Sequence, residues 1–223
     1  MAYRFSDNRR RRFFSRTGLF LVMDLFILAA LLAAGAFALK SRDQRGRIAL
    51  LGSHLGQFQI EKLMETVTQG YLRCLGEADP VRREQIWALL EPSEKSLASQ
   101  FGRFARGFSE VDAQRARVSR LPLALPYIGN AFPASTFDVR RAFEIHARGI
   151  AEAVVVRPGQ SAKARAFTMS AELFLMQHTC HWYCRSKAVA SARMLARHQT
   201  SYALLLDSVS PATRKAYREL TGQ

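Results

Sequence analysis

The residues best equipped for chemistry sit in one run, HTCHWYC at 178–184. It holds His178, Cys180, His181 and Cys184, whose side-chain types all ligate zinc. On a helix, Cys180 and Cys184 would share a face, as would His181 and Cys184. A structural zinc site usually joins such a pair to a distant second pair, and the only other cysteine is Cys74. Two other readings stay open. In an oxidising compartment Cys74 would bridge to Cys180 or Cys184; otherwise the three thiols are reduced and buried. No metal and no cofactor is therefore assigned. The five histidines, His54, His146, His178, His181 and His198, belong to no His-Glu-x-x-His motif. There is no nucleophile elbow, phosphate loop or pair of acids placed for proton transfer. The expectation is a non-enzymatic protein.

A second group is cationic. The 223 residues carry 33 Lys and Arg against 18 Asp and Glu, a net charge of +15. Arg103 and Arg106, then Arg115, Arg117 and Arg120, then Arg140, Arg141 and Arg148 form the densest exterior cluster. Such residues neutralise phosphates or meet an acidic protein surface. The phenylalanines lie on apolar stripes and not between the bases, so a protein or membrane partner ranks above nucleic acid. Arg103, Arg106, Arg140 and Arg141 are the docking candidates.

The element that must place all of this is the apolar run at 18–39, interrupted only by Asp24. As a helix it spans about 33 Å, enough for a hydrocarbon core of roughly 30 Å. The rival reading is a cleaved signal peptide, but its apolar region is normally shorter. Six arginines precede the run and four basic residues follow it closely, which orients the N-terminus to the cytoplasm. The expected organisation is a basic cytoplasmic tail at 1–16, a membrane helix at 17–40, a helical stalk at 41–60 and an exterior domain at 61–223. In a diderm bacterium that domain is periplasmic. Asp24 either snorkels toward the arginine cluster or faces a partner helix, where Ala30 and Ala34 would permit close approach and a homo-oligomer.

In the exterior part, 45–77 reads as a helix continuing from the membrane. Asp79-Pro80 opens a second helix, which Glu91-Pro92 ends. Ser93 then caps a third, with Leu97, Phe101, Phe104 and Phe108 as its apolar stripe. Partial alternation at 118–125, two-residue spacing of Phe137, Val139, Phe143 and Ile145, and the turn signal RPGQ at 157–160 before 162–177 predict strands and a hairpin. Residues 186–220 are helical again, with Ser210-Pro211 starting the last helix. The fold class is α+β.

TVTQGYLRCLGE (66–77), LLEPSEKSLASQF (89–101), TFDVRRAFEIHARG (136–149) and AFTMSAELFLM (166–176) resemble the TraE-type bitopic inner-membrane scaffold of type IV secretion and conjugation machines. The resemblance covers about residues 15–177. It implies a domain like nuclear transport factor 2 (NTF2-like), with helices on a curved antiparallel sheet and a strand opening at Phe137, Asp138, Val139 and Arg140. It also implies a periplasmic assembly role among the other subunits of a membrane secretion complex. The alternative is a membrane-anchored binding module for a polyanion or small ligand.

Overall fold

The computed structural model describes residues 7–122 and 132–223. It divides into two compact units, Met1–Asp43 and Gln44–Gln223. Residues 1–6 of the expected tail and 123–125 of the expected strand lie outside the described residues.

Helix α1 is Asp7–Leu55. Its apolar part is long and apolar enough to cross a membrane, and none of it is buried within the protein. Asp24, Ala30 and Ala34 are exposed along it. The last turns of α1, expected as a stalk, belong to the second unit instead. Leu51 is buried there, and the His54 ring meets the Phe108 ring edge-on at 5.1 Å.

The second unit is a helical assembly, not helices on a curved sheet. After α1 come α2 (Ile60–Gly76), α3 (Pro80–Ser109), α4 (Val139–Val154), α5 (Ala162–Cys184), α6 (Lys187–His198), α7 (Tyr202–Ser208) and α8 (Pro211–Thr221). Among the described residues there are two strands, β1 (Arg117–Ser119) and β2 (Thr136–Asp138). They pair antiparallel, with Val118 opposite Phe137. The NTF2-like, α+β expectation is thereby overturned.

The reason lies in two caps and one coincidence of spacing. Asp138 accepts a hydrogen bond from the Arg140 amide and starts α4; Ser161 accepts one from the Ala164 amide and starts α5. The two-residue spacing around Phe143 is part of a longer helical stripe, Val139, Ala142, Phe143, His146, Gly149, Ile150 and Ala153, all buried. Helix α5 lies in the middle, against α2, α4, α6 and α7. Buried on most sides, it lacks the one-sided pattern that marks a surface helix.

A second correction concerns Pro92, which lies inside α3 and does not end it. One missing N–H is tolerated because Trp87 and Leu90 before it and Glu94 and Leu97 after it are all buried and hold the helix on both sides of the proline. Farther along α3, Phe101, Phe104 and Phe108 meet Phe143 of α4 at centroid distances of 6.3, 5.1 and 5.1 Å. Each such side chain contributes about 1.5–3 kcal/mol by leaving water.

Gly149 marks the closest approach of α4 to α5 and α8. A Cβ there would collide with the Glu172 carboxylate and the Thr213 hydroxyl, whereas one at Gly107 would meet open space. Gly149→Ala should therefore lower stability by about 1–3 kcal/mol through overpacking. Gly107→Ala should raise it by about 0.5–1 kcal/mol through helix propensity. Urea unfolding of the two variants checks this; equal shifts would contradict the close contact.

Candidate functional site

The HTCHWYC run forms the last two turns of α5, and the helix sends its members in three directions. His178 is fully buried; its Nε2 lies 3.1 Å from Ser191 Oγ, and its ring stacks obliquely on Tyr202 at 4.5 Å. Thr179 connects His146 and Tyr217: its Oγ1 lies 2.8 Å from His146 Nε2 and 2.7 Å from the Tyr217 hydroxyl. Trp182 donates to the Ser119 carbonyl at 2.9 Å and Tyr183 to the Arg115 carbonyl at 3.1 Å, which pins the small sheet to α5. Cys180, His181 and Cys184 turn the other way, into a cavity walled by α1, α2 and α6.

These positions bear on several readings of the run. Among the described residues no three His, Cys, Asp or Glu side chains come together as metal ligands. His178 points away from the two cysteines, so the four-residue zinc reading is not assembled. All three cysteines are free thiols. The bridge from Cys74 to Cys180 or Cys184, one of the readings left open, is not formed in this structure. Cys180 shares its cavity with Ile60 and Met64 at the start of α2, while Cys74 sits in its last turn beside the Arg83 carbonyl. Ten residues of helix separate even Met64 from Cys74, about 15 Å, twice the Cα reach of a disulfide.

Burial sets the protonation states of this interior. It pushes His146 and His178 down to about 3, so both are neutral at physiological pH. It pushes the Glu172 carboxyl up, even though Oε1 accepts from the Ser210 amide at the start of α8. These groups are sealed from solvent and reach no described cavity. His146 and Glu172 join α4, α5 and α8, and His178 joins α5 to α6 and α7.

The basic candidates divide differently. Arg140 is committed within the fold: it forks onto Asp138 at 2.7–3.1 Å and donates to the Val111 carbonyl at 2.8 Å. The Asp138 hydrogen bond holds its pKa above the usual guanidinium value. Arg103 donates to Ser99 Oγ at 2.9 Å and lies over the Phe58 ring at 5.8 Å. Arg106 and Arg141 are exposed.

Arg106 belongs to a groove of about 550 Å³ between α3 and α4. Its α3 wall is a stripe of small residues, Ala98, Gly102, Ala105 and Ser109, on the face next to the phenylalanines. Its α4 wall is Ala147 and Ala151, with Glu144 and Arg148 at the rim. The Arg106 guanidinium reaches back to within 3.8 Å of where a Gly102 Cβ would stand. Arg141 continues the exposed row of Glu144 and Arg148 one turn toward the start of α4. Sequence reasoning did not single out Arg148 or the small residues as part of a site. The readable signal was the 4-3-4 spacing of Ala98, Gly102, Ala105 and Ser109, in step with the phenylalanine stripe and one face away.

Comparison of the chain with protein-family models, with curated proteins and with solved structures gives no match.

Proposed function

We propose that the chain is a membrane-anchored, non-enzymatic assembly component. It docks an acidic amphipathic helix of a partner protein in the groove between α3 and α4. The observation that carries this reading is the groove itself. A floor of alanine and glycine lets a helix backbone approach closely, and arginines outnumber the single glutamate on the rim. Helix-in-groove recognition needs such an apolar seam with charge alongside it. The basic excess of the chain favours an acidic occupant, and α1 supplies the anchor that raises the local concentration of partners held in the same bilayer.

The orientation expected from the arginine cluster places the docking domain outside the cytoplasm. The narrower reading, a scaffold of a conjugation machine, rested on the anchor and on four stretches; two of these, 136–149 and 166–176, were expected as strands of a curved sheet and fall mostly in α4 and α5. The broader reading does not need that sheet and is the one proposed.

The test is site-specific. A photo-crosslinker at Ala147, in the full chain in its native membrane, should give one discrete adduct. The double variant Arg106→Glu, Arg148→Glu should weaken its formation at least tenfold, about 1.4 kcal/mol. High salt should act in the same direction, as for any rim charge. An adduct unchanged by the charge reversal, or crosslinking from Ala147 no stronger than from the exposed Val156, would refute the groove as the docking site.

A further inference from the structure

The cavity at the end of α5 is independent of the basic groove and differs from it in chemistry. It measures about 320 Å³ and is walled by Leu51 and Leu55 of α1, Ile60 and Met64 of α2, Met176, Cys180 and Cys184 of α5, and Arg193 of α6. Two thioethers and two thiols therefore face one small, mostly apolar space. Cys180 Sγ and Met176 Sδ are 3.9 Å apart. With metal–sulfur bonds of about 2.3 Å, sulfurs at that spacing subtend roughly 116° at a shared ion, close to the trigonal angle.

We propose that this cavity is a binding site for a soft monovalent cation, Cu(I), held by Cys180 and Met176, with Cys184 and Met64 completing the sulfur shell. Glu61 and Gln177 also line the cavity, but the four sulfur side chains outnumber these two oxygen donors, and soft thiolate and thioether ligands select Cu(I). Cys184 lies one helical turn beyond Cys180, on the same face. His181 is already engaged, since its Nδ1 lies 3.2 Å from the Arg193 guanidinium, and it is not needed as a ligand. Burial holds the Cys180 thiol above its ordinary range, so without the ion it is protonated and a poor nucleophile. Loading exchanges one proton for one cation. The Cys180 S–H bond breaks, a sulfur–copper bond forms, the proton leaves to solvent and no oxidation state changes.

The experiment titrates the full-length chain in detergent with Cu(I) under reducing, anaerobic conditions against a chromogenic Cu(I) chelator. One ion per chain should be retained, with a sulfur-to-copper charge-transfer band. Cys180→Ala should weaken retention by at least about 100-fold, the upper end of what losing even an outer-shell partner costs a metal site. Met176→Leu conserves volume and should keep the fold while lowering affinity, which separates ligation from packing. Retention unaffected by both substitutions, no retention by the wild-type chain, or preference for Zn(II) over Cu(I) would each overturn the assignment.

Discussion

Arg165→Met is expected to destabilise the chain by about 3–5 kcal/mol, the cost of leaving one member of a buried ion pair unmatched. Glu94 lies at the centre of the arrangement, 1% exposed, between α2, α3 and α5. One of its oxygens accepts from the Tyr71 hydroxyl at 2.6 Å, and the other faces the Arg165 guanidinium at 3.1 Å. Arg165 itself is 9% exposed and also donates to the Val154 carbonyl at the end of α4. Removing the guanidinium strands a carboxylate among Tyr71, Trp87 and Leu97 with a single neutral donor. Tyr71→Phe removes only that donor, so about 1.5–3 kcal/mol is expected, the scale of a hydrogen bond to a charged group.

The double variant Glu94→Leu, Arg165→Met is the informative one. With both charges gone there is nothing to desolvate, and the pair should recover most of the loss or exceed the wild type. Chemical unfolding of the detergent-solubilised chain, read by near-UV circular dichroism, measures all four. A single Arg165→Met within 1 kcal/mol of wild type, or a double variant as unstable as that single, would show that the contact does not govern this junction.

The same junction shows why part of the fold was readable and part was not. The membrane-length helix, the Phe101/Phe104/Phe108 stripe and the caps at Asp79 and Ser210 follow from local rules, and each appears where those rules place it. Val118 and Phe137 do lie in strands, but each strand is three residues long and the two pair only with each other. What failed was the middle of the chain. In α5 the buried set includes Arg165, Glu172, His178 and Thr179, so polarity does not separate inside from outside. A helix that buries charged and apolar residues alike carries no clean 3.6-residue signal, and its apolar positions alternate by accident. The polar residues are buried because partners distant in sequence satisfy them: Glu94 is 71 positions from Arg165, and Tyr217 is 38 from Thr179. No window of local sequence contains that information. The site was legible to the same degree. Arg106 could be nominated from charge alone, but whether an arginine is offered to a partner or spent on Asp138, as Arg140 is, depends on the turn that precedes α4.

Acid should unfold this protein well above the pH at which its carboxylates protonate, because two histidines, His146 and His178, are buried neutral. His146 is held at about 3 by burial first and by the neighbouring His178 second; His178 is held at about 3 by burial, then by Lys187 and His181. In the unfolded chain both titrate near 6.5. Between about pH 6.5 and 3 the unfolded state therefore binds more protons than the native one, and stability falls as pH falls. The contribution is complete above 6.5 and shrinks by up to about 1.4 kcal/mol per pH unit for each histidine. Glu172 works in the opposite sense. Its carboxyl is raised in the fold, so its contribution is present at low pH and lost as pH rises through the ordinary carboxylate value and above. One opposing carboxyl cannot cancel two histidines, and below about pH 4.5 it no longer opposes them at all, since it is then protonated in both states. The measurement is the urea midpoint as a function of pH. His146→Gln keeps an amide within reach of Thr179 Oγ1 but cannot titrate, so it should remove about half of the slope between pH 6 and 4.5, whatever it does to stability at pH 7. Glu172→Gln should steepen that slope, because it removes the opposing group. A wild-type midpoint flat from pH 7 to 4.5, or a slope that survives His146→Gln unchanged, would mean that the imidazoles are hydrated and the interior around α5 is open to water.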